Sequence, residues 1–113
     1  MKNLVSIIIN CKNGRSFLKK SISSVILQTY KNWEIIFFDN CSSDSSILIA
    51  KSFKDKRIKI FKANKSLKLY DARNQAIKYA KGKYITFLDT DDIWNKKKLE
   101  KQISFVKKNN VKI

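Results

Sequence analysis

Two runs constrain the fold more than anything else in the chain: LVSIIIN at residues 4–10 and WEIIFFD at 33–39, both dense in β-branched and aromatic side chains. A strand with one wet face alternates apolar and polar residues, so runs this uniform fit strands covered on both faces, as in a parallel sheet between helices. Parallel neighbours need a crossover of a dozen or more residues, usually a helix. The connecting segment supplies one: SFLKKSISSVILQ puts Leu18, Ile22, Val25 and Ile26 on one helical face, with Ser16 available as its cap.

The pattern then recurs. NCSSDSS is turn chemistry, and Ile47, Leu48, Ile49 and Phe53 predict a second, shorter helix. RIKIFKA at 57–63 alternates as a more exposed, edge-ward strand. YDARNQAIKYAKG places Ala72, Ala76, Ile77 and Ala80 on a third helix with Gly82 as its stop. KYITFL at 83–88 is a fourth strand, Asn95 can cap a helix carrying Leu99, Ile103 and Val106 inward, and VKI at 111–113 begins a fifth strand. The order β-α-β-α-β-α-β-α-(β) predicts an α/β fold: one domain over 1–113, an open, mostly parallel sheet with helices on both faces.

Composition narrows the chemistry. With no His, a Ser-His-Asp triad, a Cys-His pair or a His-ligated metal centre is excluded within these residues. Cys11 and Cys41 make neither a disulfide framework nor a metal spacing, which fits a reducing compartment. Only Gly14 and Gly82 are present, too few for a glycine-rich phosphate loop. No apolar run approaches the ~20 residues that span a bilayer, so the expected location is cytoplasmic, with peripheral contact at the inner face of the membrane. A net charge of +16 suits an anionic partner.

In open α/β sheets ligands bind outside the carboxyl ends of the strands. The unusual polar stretches all fall there: NCKNG after the first strand, DNCSSD after the second, ANKSLKLYDARN after the third and DTDD after the fourth. DTDD is the most informative, because the chain has only nine carboxylate side chains and three of them, Asp89, Asp91 and Asp92, fall within four residues. Carboxylates crowded on one turn repel unless a cation relieves them, and hard oxygen ligands suit Mg²⁺ or Mn²⁺ bridging to a phosphate. On the residues alone, a second reading stays open, in which Asp91 and Asp92 favour the N-terminus of the following helix.

Taken together, VSIIINCKNG, FLKKSISSVILQTYKNWEII, FFDNCSSDSS, DARNQAIKYAKGKYITFLDTDDIW and KKKLEKQI, in this order and spacing, resemble the amino-terminal, nucleotide-binding half of the family 2 glycosyltransferases. That family has the GT-A fold and usually inverts the anomeric centre. The resemblance implies that Asp39 accepts a hydrogen bond from the base of a nucleotide sugar, most often uracil, with Cys11, Lys12 and Asn13 lining the same pocket. Arg73 reaches the base or diphosphate. Asp89 faces the ribose and the metal, Asp91 ligates the metal, and Asp92 supports it or approaches the sugar. The implied cofactor is Mn²⁺ or Mg²⁺. The implied partners are a nucleoside-diphosphate sugar, such as a UDP-sugar, and a glycan or lipid-linked acceptor in polysaccharide or lipopolysaccharide synthesis.

Two departures accompany the resemblance. Family members often carry Pro, a small residue and an aromatic where this chain has Asn10, Cys11 and Lys12, so the base lacks its usual stacking neighbour. The family's general base and acceptor-binding elements lie beyond the D-x-D segment, so the chain is expected to be truncated to the donor half, with self-association through the truncated face. Two rival expectations are a donor-binding module without turnover, and a basic nucleic-acid-binding α/β domain. Against the latter, the lysines are scattered and no nucleic-acid motif is present. A phospho-receiver domain needs an acidic pair after the first strand, where this chain has Asn10.

Overall fold

The structure, a computed structural model, describes residues 3–109. The elements are β1 (Val5–Cys11), α1 (Arg15–Ile26), β2 (Trp33–Asp39), α2 (Ser46–Ser52), β3 (Ile58–Lys62), α3 (Leu69–Ile77), β4 (Tyr84–Phe87) and α4 (Lys98–Asn109). The strands form one parallel sheet in the order β3-β2-β1-β4. The two uniform apolar runs are the two inner strands, which explains their composition: every residue of β2 is buried, and in β1 only Asn10 is partly exposed. β3, on the outside, is half-buried along most of its length, as its alternation predicts.

Each inner strand divides its side chains between two cores. Val5, Ile7, Ile9 and Cys11 of β1 and Trp33, Ile35 and Phe37 of β2 pack with Leu18, Ile22 and Val25 of α1, Ala50 of α2 and Leu99, Ile103 and Val106 of α4. Ile8, Ile36 and Phe38 point the other way, against Ala72 and Ala76 of α3. Helices therefore cover both faces, and the small alanines of α3 let it lie close to the sheet. The expected fold is the observed one.

Several local expectations differ. Ser16 does not cap α1; the cap position is Gly14, and the helix begins at Arg15. Its free N–H groups are served from the next loop instead, where Asp44 Oδ2 accepts from Arg15 N at 3.2 Å. α3 ends at Ile77, before Ala80 and Gly82. Gly82 has no positive φ and is not a helix stop. A Cβ there would lie 2.7 Å from Ser6 N and 2.8 Å from Leu4 O, so the glycine is required by backbone approach to β1. On α2, the second, shorter helix expected here, Leu48 is exposed, while Ser46 and Ala50 are buried. The strand expected at 111–113 lies outside the described residues.

Candidate functional site at the carboxyl ends of the strands

The turns after β1 and β2 brace each other. Asn13 adopts φ 55°, a left-handed conformation that Asn tolerates better than most residues. Its N–H donates to Ser42 Oγ (2.9 Å), and its side-chain oxygen accepts from Ser43 N (2.8 Å). Gly14 N donates to Ser46 Oγ at 3.1 Å. Asp39 ends β2 buried, with one carboxylate oxygen accepting from Ser42 N at 3.0 Å. Its other oxygen, Oδ1, is buried without a hydrogen-bond partner, and so is Asn10 Oδ1 at the end of β1. A buried acceptor left unpaired costs about 1–3 kcal/mol. Only one further such atom occurs among the described residues, Trp33 Nε1 at the opposite end of the sheet. Unpaired polarity is thus concentrated where a ligand would bind.

Beside Asn10 lies a cavity of about 200 Å³ lined by Asn10, Cys11, Lys12, Asn40, Leu67 and Leu69, while the expected base ligand Asp39 is not among its lining residues. The Asn40 amide fixes its far wall by donating to Leu67 O (2.7 Å) and accepting from Leu67 N (2.8 Å). Lys12 Nζ donates to Ser66 Oγ at 2.6 Å, joining the β1 and β3 loops. Of the residues expected at a base pocket, Cys11 and Lys12 line this cavity, whereas the Asn13 side chain is committed to the Ser43 loop. Burial pushes the Cys11 thiol above its ordinary pKa; hydrogen bonds from Ser46, Gly14 and Ser42 oppose this, and the Asp39 charge adds to it. Cys11 is therefore a protonated, packed side chain and not a nucleophile. Cys41 is free and exposed.

A second, narrower cleft of about 20 Å³ continues from the first, sharing Asn10 and Leu69 and adding Arg73, Phe87 and Asp89. Arg73, projecting from α3, lies 5.2 Å from the Phe87 ring centroid and 3.8 Å from an Asp89 oxygen. Helix and strand end thus bring together two residues sixteen positions apart. Asp89, Asp91 and Asp92 are all exposed, and one oxygen from each lies within 4.8 Å of the others. Two oxygens on one Mg²⁺ or Mn²⁺ at about 2.1 Å stand no more than about 4.2 Å apart, so a small rotamer change suffices for shared ligation. An all-oxygen donor set of this kind fits a hard divalent cation.

The acidic turn is held from behind by polar residues of α1 and of the segment just after it that periodicity alone does not single out. Ser21 Oγ donates to Thr90 O, Ser24 Oγ accepts from Trp94 N (3.1 Å), and Gln28 donates to Asn95 O (2.7 Å) while accepting from Leu99 N (3.0 Å). All three are buried. Gly14 completes the approach: a Cβ there would lie 3.0 Å from Thr90 Cβ. The one available signal is the presence of Ser21 and Ser24 in the register of an otherwise apolar helix face.

The profile described as Glycosyl transferase family 2 matches residues 6–113. The chain belongs to that family. The glucosyltransferase WfgD of Escherichia coli, named as acting from UDP-Glc on α-D-GlcNAc-diphosphoundecaprenol, is 47% identical over 108 residues, covering 96% of this chain and 43% of WfgD. The chain therefore spans less than half the length of this relative. Among solved structures, TarS of S. aureus in complex with UDP-GlcNAc superposes with a TM-score of 0.87 at 24% identity, covering 94% of this chain and 32% of that one. The mannosyltransferase PcManGT of Pyrobaculum calidifontis, in complex with GDP-Man and Mn²⁺, gives 0.84 at 16% identity, over 90% and 32% of the two chains. At these identities the superpositions establish the GT-A fold.

Proposed function

We propose that the chain binds the donor of a glycosyl transfer, a nucleoside-diphosphate sugar and specifically a UDP-sugar, for delivery to a lipid-linked or other glycan acceptor. The observation that carries this reading is the continuity of the two clefts. Cys11, Lys12 and Asn40 lie at one end, the unpaired acceptor of Asn10 at the junction, and Arg73 with Asp89 of the D-x-D cluster at the other, a layout matching a base followed by a diphosphate. Asp39 Oδ1 accepts from a base N–H, Cys11 and Lys12 flank the base, and Asn13 shapes the turn. Arg73 exchanges its ion pair with Asp89 for the diphosphate. Asp89 and Asp91 hold the cation, with Asp92 beside them toward the sugar. A bound Mn²⁺ or Mg²⁺ would neutralise charge on the departing nucleoside diphosphate. UDP-GlcNAc in the TarS complex, Mn²⁺ in the PcManGT complex and the undecaprenol-linked acceptor in the name of WfgD support this reading.

Among the described residues no helix is long and apolar enough to cross a membrane; the positive charge of the chain suits contact with an anionic membrane surface carrying lipid-linked acceptors. Thermal shift with UDP, GDP and their sugars, each with and without Mn²⁺, tests the proposal. UDP with Mn²⁺ is expected to raise the melting temperature most. Asp91→Asn is expected to remove most of the Mn²⁺-dependent part while melting like the native chain without ligand, because the residue is exposed. Equal UDP affinity in that variant with and without metal, at the level of the native chain, sinks the metal role. No response to any nucleotide sinks donor binding.

A further inference from the structure

Asn10 is the one polar residue pointing from β1 toward α3 at the site, in the alternation that sends Ile8 to the same side. It lines both clefts. Its side-chain oxygen is buried and has no hydrogen-bond partner. An amide that serves only packing would be replaced by an apolar side chain of similar shape without loss, since unpaired buried acceptors are destabilising. A ligand donor would remove that penalty.

What donor reaches this point follows from the site, and the inference rests on the nucleotide reading above. A nucleoside diphosphate with its base beside Cys11, Lys12 and Asn40 and its diphosphate beside Arg73 and the acidic turn must pass Asn10 with its ribose. The ribose carries two hydroxyl groups, each able to donate. We propose that Asn10 is a donor-binding residue whose side-chain oxygen accepts a hydrogen bond from a ribose hydroxyl, making the site selective for ribonucleotides over deoxyribonucleotides.

The test compares UDP, 2′-deoxy-UDP and 3′-deoxy-UDP, each with Mn²⁺, on the native chain, Asn10→Leu and Asn10→Asp, by calorimetry. The native chain is expected to bind UDP about tenfold more tightly than one of the deoxy analogues, the loss expected from one missing hydrogen bond. Asn10→Leu is expected to melt no lower than the native chain and to bind UDP and both analogues equally. Asn10→Asp keeps an acceptor and is expected to retain the preference, whatever its overall affinity. A native chain that binds UDP but does not distinguish it from either analogue overturns the inference and leaves the nucleotide reading standing. So does an Asn10→Leu variant that keeps the preference. A native chain that binds none of the three overturns both.

Discussion

A carboxylate buried in a sheet must be held by donors, and Glu34 of β2 is held by three. Ser6 Oγ (2.6 Å) and Lys81 N (2.7 Å) donate to one oxygen and Lys59 Nζ (2.8 Å) to the other. Burial raises the acid's pKa, but the bonds from Lys59, Ser6 and Lys81 and the charge of Lys59 together hold it below the ordinary value of 4.5. A depressed folded-state value means that the stabilisation is complete above that ordinary value and is lost as the pH falls below it. Acid titration of the melting temperature is therefore expected to show a Glu34-dependent loss below about pH 4.5 that Glu34→Gln lacks. At neutral pH Glu34→Ala strands Ser6, Lys81 N and Lys59. It is expected to cost about 3 kcal/mol, lowering the melting temperature by about 10 °C or more. This network sits at the strand ends opposite the clefts, so nucleotide binding by the folded variant should be unchanged.

At the scale of elements, α1 is both a packing helix and the back wall of the acidic turn. Gln28→Ala removes the bonds to Ser24 O, Asn95 O and Leu99 N. The expected cost is about 2 kcal/mol. Because the freed segment leads straight out of the acidic turn, Mn²⁺-dependent stabilisation by UDP should weaken more than stabilisation by UDP alone. Thermal shift with and without metal measures both. The strands and the inward residues of α4 were legible in the sequence because the pattern that defines them is local: a uniform apolar run, or Leu99, Ile103 and Val106 at helical spacing. The role of Gln28 was not, because its partners stand sixty-seven and seventy-one residues away. Gly82 was misread for a related reason, since a glycine needed for backbone approach looks, in sequence, like one needed to end a helix. Asp39 and the acidic turn were legible as site candidates only because they stand at strand ends. The unpaired state of Asn10, which depends on what α3 brings over it, was not.

For the whole molecule, charge and exposed surface oppose each other. β4 is an outer strand with no neighbour on its far side among the described residues, and Phe87 on it and Ile93 beyond it are exposed. Unpaired edges and exposed apolar side chains favour association, while a charge of +16 resists it. Salt screens the charge and leaves the apolar surface unaffected. Light scattering is therefore expected to show association of the chain rising with ionic strength; a strict monomer from low to high salt would mean that this edge is already protected. The sheet order carries a different consequence for how the protein comes into being. β1 lies at the centre, paired with β2 on one side and with β4 on the other, Val5 against Tyr84. β1 therefore waits for β4 before its second edge is satisfied, and contacts so distant in sequence form slowly. A nascent chain that has emerged only as far as α3 carries Cys11, Lys12, Asn40 and Arg73 but none of the acidic turn. On the reading proposed above, such an intermediate would lack the cation ligands Asp89 and Asp91, so it could not compete with longer copies for a metal-bound donor.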